Sequence, residues 1–208
     1  MDTHLPAVQH AVMTPQALRA RFARPPAWQP EVSMERRMSQ RPLAQASVLV
    51  PIVTRDRPTV ILTERTTHLS THSGQVAFPG GKRDESDTDA AHTALREAHE
   101  EIGLEHRFVD VIGEMPTYTT GSQFIITPVV ALVRPEHVLK LNAYEVADAF
   151  EVPLEFLMNP AHHHRHVLEW EGVRREWFSM PYMDGRTERF IWGATAAMLR
   201  NFYRFLAA

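Results

Sequence analysis

The sequence contains no cysteine. This absence excludes disulfide bonds, a thiolate nucleophile and sulfur-ligated zinc, and it is consistent with a reducing compartment. The chain also lacks an excess of positive charge, since 22 Lys and Arg residues stand against 25 Asp and Glu residues. Without a global basic surface, a nucleic-acid backbone is not expected as a partner.

Long apolar runs are missing as well. The strongest runs, residues 46–53 and 124–133, are far shorter than the ~20 residues that a membrane span needs. Residues 1–20 carry neither a basic leader nor a sustained apolar stretch, so they do not resemble a secretory signal. We therefore expect a protein that does not enter a membrane, with the cytoplasm as its default location.

The chain does carry enough apolar material for one core, with 208 residues of which 44% are hydrophobic. This length predicts a single domain with some additions. Residues 1–44 are rich in proline and weakly periodic, which predicts an N-terminal arm with one helix near residues 15–23. The arm is expected to pack on the core formed by residues 45–208 or to support an oligomer such as a homodimer.

Strand-like runs precede and follow a helical segment. The β-branched runs 46–53 and 59–65 flank a turn-like connection and predict a hairpin. A helix is predicted over 87–102, with Asp87 or Asp89 as its N-cap and Gly103 at its end. It is followed by predicted strands over 107–116 and 124–133, a mixed segment over 149–157 and a last helix within 191–208. This order predicts an α/β or α+β sandwich with a mixed sheet.

The central helix gathers three glutamates on about one turn. At 100° per residue, Glu100 and Glu101 lie within about 60° of Glu97, while the apolar residues lie on a separate side. Arg96 can pair with Glu100 at i+4 but cannot neutralise all three carboxylates. Taken alone, such a cluster is the ordinary pattern of a solvated acidic face.

A glycine-containing loop before this helix changes the interpretation. Pro79, Gly80 and Gly81 let backbone amides approach an anion closely. An anionic substrate and the carboxylates would repel each other unless a hard divalent cation bridged them, and Mg²⁺ suits this arrangement. The pattern therefore favours phosphate chemistry, in which the cation neutralises developing charge and lowers the pKa of an attacking water.

The same residues resemble the Nudix hydrolase family, whose box reads G-x5-E-x7-R-E-U-x-E-E-x-G-U, where U is a bulky aliphatic residue. The second half of the box is filled by Arg96, Glu97, Ala98, Glu100, Glu101, Gly103 and Leu104. The first half departs from it, because Gly81 lies fifteen positions before Arg96 instead of fourteen. The expected glutamate is replaced by Asp87 or, counted back from Arg96, by Thr88. The resemblance implies an α/β/α sandwich.

The longer loop is similar to that of the coenzyme A diphosphatase branch, which carries an upstream signature L-L-T-x-R…G-x-V-x-F-P-G-G. The matching residues are Leu62, Thr63, Arg65, Gly74, Val76, Phe78, Pro79, Gly80 and Gly81, and Ser70 stands where some members have Arg. The resemblance covers residues 45–205 and implies hydrolysis of coenzyme A, and of its acyl or oxidised forms. The products would be 4′-phosphopantetheine and adenosine 3′,5′-bisphosphate.

The resemblance also implies roles for individual residues. Glu97 and Glu101 would be the principal ligands of Mg²⁺ or Mn²⁺, and Glu100 a further ligand or a contact through water. Arg96 would orient Glu97. The general base stays open between Glu97 and a carboxylate from a later loop such as Glu145.

Substrate contacts are expected around the glycines. Arg65 is interpreted either as a clamp on an adenosine 3′-phosphate or as an ordinary arginine at a strand end, and the resemblance favours the clamp. The other expected substrate contacts are Gly74, Phe78, Gly80 and Gly81. The histidine-rich stretch 162–166 is interpreted as a polar loop in preference to a metal site.

Two alternatives to a coenzyme A diphosphatase remain at this stage. One is the same chemistry on another small nucleoside diphosphate derivative, such as ADP-ribose or a dinucleotide. The other is a Nudix-like binding protein or regulator that has lost catalysis, although the retained acidic set argues against it.

Overall fold

The computed structural model describes residues 2, 4–35, 42–67, 74–170 and 173–208, and Ser70 lies outside these residues. The helices are α1 (Pro15–Ala23), α2 (Ala90–Ile102), α3 (Leu154–Leu157) and α4 (Gly193–Ala207). The strands are β1 (Ala44–Val53), β2 (Thr59–Arg65), β3 (Val76–Ala77), β4 (Gly80–Lys82), β5 (Val109–Glu114), β6 (Tyr118–Thr119), β7 (Phe124–Val133), β8 (Val146–Pro153), β9 (His164–Trp170), β10 (Val173–Asp184) and β11 (Thr187–Trp192).

The main sheet is mixed, as predicted. Its central order is β3-β2-β1-β7-β5, with β4 also paired to β1, β6 to β7 and β8 to β2. β1 and β7 run parallel over their whole length, and the other pairs are antiparallel. The predicted hairpin is confirmed, because β1 and β2 pair through Ile52 opposite Val60 and Val53 opposite Thr59.

Helices cover both faces of this sheet. Because strand side chains alternate between faces, Ile61 packs in the cluster under α2, whereas Val60 and Leu62 belong to the larger core on the other face. Ala94 and Ala98 of α2 are fully buried, and their small side chains let the helix lie close to the sheet. The result is the expected α/β/α sandwich.

The N-terminal segment packs against the second face together with α4. Helix α1 has the bounds predicted for it and begins after Thr14, whose hydroxyl accepts the Ala17 N–H at 3.3 Å. Leu18 of α1 is fully buried in the larger core. The buried Arg200 of α4 donates from Nε to Glu31 at 2.7 Å, which ties the N-terminal segment to the last helix.

A second, antiparallel sheet of strands β11-β10-β9 was not predicted. The interpretation of residues 162–166 as a polar loop is wrong from His164 onward, where β9 begins. Charged residues interrupt β9 and stand next to one another at 174–176 in the first half of β10, and they hide the strand pattern in the sequence. The buried side of β10 is carried by Phe178 and Met180, which join the larger core.

His163 is fully buried next to this sheet. Its Nδ1 lies 3.2 Å from Arg200 Nη1, and a guanidinium can only donate, so Nδ1 accepts and Nε2 donates to the Leu157 carbonyl at 2.7 Å. Burial lowers the pKa of His163 to about 4, so the ring is neutral at physiological pH. Its role is structural, and within the described residues no three His, Asp or Glu side chains form a ready-made metal cage.

None of the helices in the described part of the chain combines the length and the apolar character that crossing a bilayer requires.

Candidate active site

Helix α2 carries the predicted acidic residues and is fixed at both ends. Asp89 is its N-cap, and the Asp89 carboxylate accepts the His92 N–H at 2.8 Å. Gly103 ends the helix in the left-handed conformation, with φ of +66°. The helix ends at the predicted residue but begins at Ala90, later than the predicted start at residue 87, and of the two N-cap candidates the structure selects Asp89.

The glycine loop becomes strand β4, which pairs with β1 directly beside α2. A Cβ added to Gly80 would lie 2.4 Å from the Ser47 carbonyl oxygen and 2.6 Å from the Val48 Cα. A Cβ added to Gly81 would lie 2.5 Å from both Cδ and Oε2 of Glu97. Glycine is therefore required at Gly80 for strand pairing and at Gly81 for the approach of a carboxylate.

Glu101 is buried against the same loop, with 4% of its surface exposed. Its Oε2 accepts the Gly80 N–H at 3.1 Å, and its Oε1 lies 3.6 Å from Arg65 Nη1. Burial raises the pKa of Glu101 to about 7, even though the Gly80 N–H and the Arg65 guanidinium act in the opposite direction.

Glu97 lies one helical turn before Glu101, and 15% of its side chain is exposed. Its Oε1 accepts a hydrogen bond from Arg96 Nη1 at 3.0 Å. Burial raises the pKa of Glu97, and the negative charges of Glu100 and Glu145 add to this rise. Three carboxylates, those of Glu97, Glu101 and Glu145, are thus close enough to repel one another.

Arg96 is the cation that organises the helix side of the site. Its Nε and Nη2 bind the two oxygens of Asp87 at 3.0 and 2.8 Å, while Nη1 donates to both Glu97 and Glu100 at 3.0 Å. Nη2 also reaches the Lys82 carbonyl at 3.2 Å. Because Arg96 is shared in this way, it fixes Glu97 relative to the glycine strand.

Asp87, one of the two residues that stand where the resembling motif has a glutamate, is the one that pairs with Arg96. Its side chain is fully buried, and it also accepts the Asp84 N–H at 2.9 Å. The hydrogen bonds from Arg96 hold the pKa of Asp87 well below its usual range. Thr88, the other candidate, is exposed. In the sequence, the only signal for this choice is an acidic side chain available to pair with Arg96.

We predict that Asp87→Asn lowers the free energy of unfolding by about 3 kcal/mol at neutral pH, because it removes the charged partner of a largely buried guanidinium. The depressed pKa means that this stabilisation is complete above the ordinary aspartate pKa of about 3.9 and is lost as the pH falls below it. Urea denaturation at neutral and acid pH measures both effects. Glu85→Gln, at an exposed position of the same loop, is the matched control, and equal stability of Asp87→Asn and the parent would contradict the prediction.

Glu145 lies in the loop between β7 and β8 and is partly exposed. Its Oε1 accepts from Asn142 Nδ2 at 3.1 Å, and the Asn142 N–H binds the Glu101 carbonyl at 2.9 Å. These two contacts fasten the loop to the last turn of α2. The structure therefore places Glu145 close enough to Glu97 and Glu101 for its charge to act on both carboxylates.

The other residues predicted for the site differ in how far they are exposed to solvent. Glu100 is half-exposed and turned towards Arg96. The Phe78 side chain is buried in the larger core, where it anchors the chain just before the glycines. Gly74 lies in an exposed turn with φ of +66°, next to a cleft on the other side of the sheet.

The donor set is compatible with a hard divalent cation. Mg²⁺ commonly takes one or two protein carboxylates and completes its shell with substrate oxygens and water, so a closed protein cage is not required. Glu97 and Glu101 provide two largely buried carboxylates that are held against consecutive glycines. A bound dication would relieve the mutual repulsion of these two carboxylates and the carboxylate of Glu145.

The glutamates of this site and the glycines beside them lie in the part of the chain that matches a known family. The NUDIX domain model matches residues 43–180. The chain is 39% identical over 157 residues to the uncharacterised Nudix hydrolase NudL of Yersinia pestis (strain Pestoides F), a match that covers 76% of this chain and 77% of NudL.

Solved structures show a more distant similarity. The Nudix hydrolase RenU of M. smegmatis is 25% identical, and the alignment covers 54% of this chain and 71% of RenU with a TM-score of 0.47. The NUDIX domain of Shewanella oneidensis NrtR, solved in complex with ADP ribose, is 19% identical over 55% of this chain and 75% of that one, with a TM-score of 0.43.

Proposed function

The chain belongs to the Nudix hydrolases, which cleave phosphoric anhydride bonds in nucleoside diphosphate derivatives, and from this premise we propose that it hydrolyses the diphosphate of coenzyme A with the help of Mg²⁺ or Mn²⁺. The products are 4′-phosphopantetheine and adenosine 3′,5′-bisphosphate. Acyl and oxidised forms of coenzyme A carry the same diphosphate and are further substrates.

One observation carries the hydrolytic part of this proposal. Two carboxylates lie directly against the short strand β4. The Gly80 N–H donates to Glu101 at 3.1 Å, and Glu97 lies so close to Gly81 that a Cβ would not fit there. A solvated acidic face would not need such close backbone contacts. The assignment to coenzyme A is supported by the upstream signature that ends in these glycines and includes Arg65.

Each residue of the site has a proposed role. Glu97 and Glu101 hold the metal, with Glu100 as a further ligand or a contact through water. When bound, the dication neutralises charge on the diphosphate and makes a water more acidic. Arg96 keeps Glu97 oriented, and Asp87 keeps Arg96 in place.

Proton transfer requires a carboxylate near the attacking water. Water adds to one phosphorus, the bond from that phosphorus to the bridging oxygen breaks, and the other phosphate leaves with the bridging oxygen. Glu145 and Glu97 are the two candidates to accept the proton. Within the part of the chain that the structure describes, a neutral amide donates to the Glu145 carboxylate, whereas the Glu97 carboxylate is bound by Arg96.

The experiment that tests this function is product identification from coenzyme A with Mg²⁺, with Mn²⁺ and with EDTA. We expect 4′-phosphopantetheine and adenosine 3′,5′-bisphosphate in the first two reactions and intact coenzyme A in the third. Different products, or turnover that EDTA does not affect, would contradict the proposal.

The substrate preference gives a sharper prediction. If Arg65 binds the 3′-phosphate, kcat/KM for coenzyme A should exceed that for dephospho-coenzyme A and for ADP-ribose by roughly tenfold or more, since a hydrogen bond to a charged group contributes about 1.5–3 kcal/mol. Arg65→Gln should bring the ratio close to one. Arg57→Gln, at an exposed arginine on the preceding turn, is the control and should leave the ratio unchanged. Equal rates of the parent on all three substrates would remove the specific assignment.

A further inference from the structure

A small pocket of about 140 Å³ lies between the first turn of α2 and the beginnings of strands β1 and β7. The residues of its wall that matter here are Gln45, Ser47, Arg83, Ala90, Thr117 and Thr127. Sites for ligands of drug size commonly enclose about 300–1,000 Å³. The pocket is therefore too small to enclose a nucleoside, and its size suits a small ion or a few waters.

Hydroxyl groups line the side of the pocket that the sheet forms. Ser47 and Thr127 are paired in register between the parallel strands β1 and β7. They lie two residues before Leu49 and Val129, which pack under α2, so both hydroxyl side chains are on the face that carries this helix. Thr117, just before β6, adds a third hydroxyl to the wall. The sheet is thus polar here, whereas further along it offers α2 an apolar surface.

The Ser47 hydroxyl is buried without a partner. Only 3% of the residue is exposed, and within the described part of the chain its hydroxyl makes no hydrogen bond. A hydroxyl that has lost its water and gained no partner costs free energy, and native structures normally satisfy such a group. The pocket that Ser47 lines is therefore expected to hold a molecule that binds this hydroxyl.

Arg83 brings a positive charge to the same pocket, and its hydrogen bonds go to neutral groups. Nη1 donates to Gln45 Oε1 at 3.1 Å, and Nη2 donates to the carbonyls of Asp87 and Thr88 at 3.0 Å each. Arg83 forms no ion pair with any residue that the structure describes. These contacts hold the guanidinium in place while its charge lacks a carboxylate partner.

The other polar groups of the wall add further hydrogen-bond donors. Because a guanidinium can only donate, Gln45 Oε1 is the acceptor of the bond from Arg83, and the Gln45 amide NH₂ is left for the pocket. Ala90 is the first residue of α2, where a backbone N–H has no intrahelical partner and the helix dipole is positive. Among the described residues that line the pocket there is no Asp or Glu. The wall therefore favours an anion over a cation.

Carboxylates of the neighbouring segments are bound by other groups. Asp87 is paired with Arg96, and Asp89 caps the first turn of α2. Glu97 lies against β4, one strand away from Ser47, and accepts a hydrogen bond from Arg96. The negative charge around the pocket is thus partly balanced by groups outside it.

We propose that this pocket binds a tetrahedral oxyanion of the phosphate type, at a site separate from the catalytic metal site. The oxyanion accepts hydrogen bonds from Arg83, the Gln45 amide, the hydroxyls of Ser47 and Thr127, and the Ala90 N–H. Since Arg83 also holds two carbonyls of the loop before α2, the bound anion stabilises that loop. The site goes beyond the proposed hydrolysis and does not depend on it.

The test titrates inorganic phosphate into the full-length protein in the presence of EDTA, and it follows the heat of binding and the melting temperature. Sodium chloride at matched ionic strength is the reference, because it reproduces general screening. We expect saturable binding of phosphate and a rise in melting temperature, since a ligand that binds the folded state stabilises it. Absence of saturable binding would overturn the proposal and leave water as the occupant.

Ser47→Ala is the most specific variant. It removes a hydroxyl that has no partner in the described part of the protein, so the melting temperature without phosphate should stay the same or rise. The Kd for phosphate should increase roughly tenfold, because a hydrogen bond to a charged group is lost. If Ser47→Ala and the parent bound phosphate equally, the pocket would not be the binding site.

Arg83→Gln tests the contribution of charge. It should weaken phosphate binding by at least about tenfold, whereas Arg57→Gln, at an exposed arginine outside the pocket, should bind like the parent. Arg65→Gln separates this pocket from the active site. Unchanged phosphate affinity in Arg65→Gln would support the site at Arg83, and loss of binding in Arg65→Gln with Arg83→Gln unaffected would overturn it.

Glycerol 3-phosphate distinguishes two sources of the oxyanion. Similar affinity for glycerol 3-phosphate and inorganic phosphate would support a terminal phosphate group as the occupant, and binding of inorganic phosphate alone would support the free ion. Failure of both to bind would overturn the proposal. These measurements need neither metal nor coenzyme A, so their outcome is independent of whether the protein hydrolyses that substrate.

Discussion

Glu97→Gln is expected to lower kcat for diphosphate hydrolysis by on the order of several hundredfold, with the fold retained. The substitution keeps the shape of the side chain and removes the negative charge that we assign to the metal. The amide oxygen can still accept from Arg96 Nη1, so Arg96 and Asp87 should stay paired. Steady-state kinetics and circular dichroism check the two parts of this expectation.

A second measurement separates loss of the metal from loss of a general base. In the parent, millimolar Mg²⁺ or Mn²⁺ should raise the melting temperature, because a ligand that binds the folded state stabilises it. Glu97→Gln should abolish or strongly reduce that rise. Glu136→Gln, at an exposed glutamate in the turn after β7, should keep both the rise and the activity. Unchanged turnover in Glu97→Gln would show that the catalytic site lies elsewhere or that the chain is not an enzyme of this kind.

Local features of this fold could be predicted from the sequence because their causes are local. Gly103 ends α2 because glycine readily adopts a left-handed conformation, and Asp89 begins it through a side chain that caps the first turn. The β1–β2 hairpin follows from two β-branched runs around a short turn. The acidic side of α2 follows from helical geometry alone.

The second sheet could not be predicted in the same way. Its strand β9 is dominated by charged and histidine side chains, and its stability depends on β10, which in turn packs on α4 through Met180 and Phe178. Such contacts join segments that are far apart in sequence. The choice of Asp87 over Thr88 has the same origin, because it depends on which side chain the longer loop turns towards Arg96.

The exposed end of strand β11 shows the same limit. Tryptophan is usually buried and no pattern in the sequence marks Trp192 as an exception, whereas the structure leaves 40% of it exposed beside Glu64 and Glu188. Only the folded chain reveals that Glu64 and Arg65, which are consecutive in β2, serve opposite faces of the sheet.

Gly81→Ala is expected to reduce kcat/KM on the order of 100-fold while the protein stays folded. The new Cβ would lie 2.5 Å from the carboxylate of Glu97, and the end of that flexible side chain can move away at little cost in stability. Gly81 has no positive φ, so alanine fits its backbone. The substitution should therefore lower the rate of catalysis, because a displacement of about 1 Å in a catalytic group can cost 10²-fold in rate.

Gly80→Ala provides the contrast that makes this prediction specific. Its Cβ would meet the backbone of Ser47 and Val48 at 2.4 and 2.6 Å, and backbone within a paired sheet cannot move aside as a side chain can. We therefore expect Gly80→Ala to lose about 1–3 kcal/mol of unfolding free energy, and Gly81→Ala to stay within about 1 kcal/mol of the parent. Urea denaturation and kinetics on both variants separate the two effects. If Gly81→Ala kept full activity, Glu97 would not need its position against the glycine strand, and its assignment as a metal ligand would have to be withdrawn.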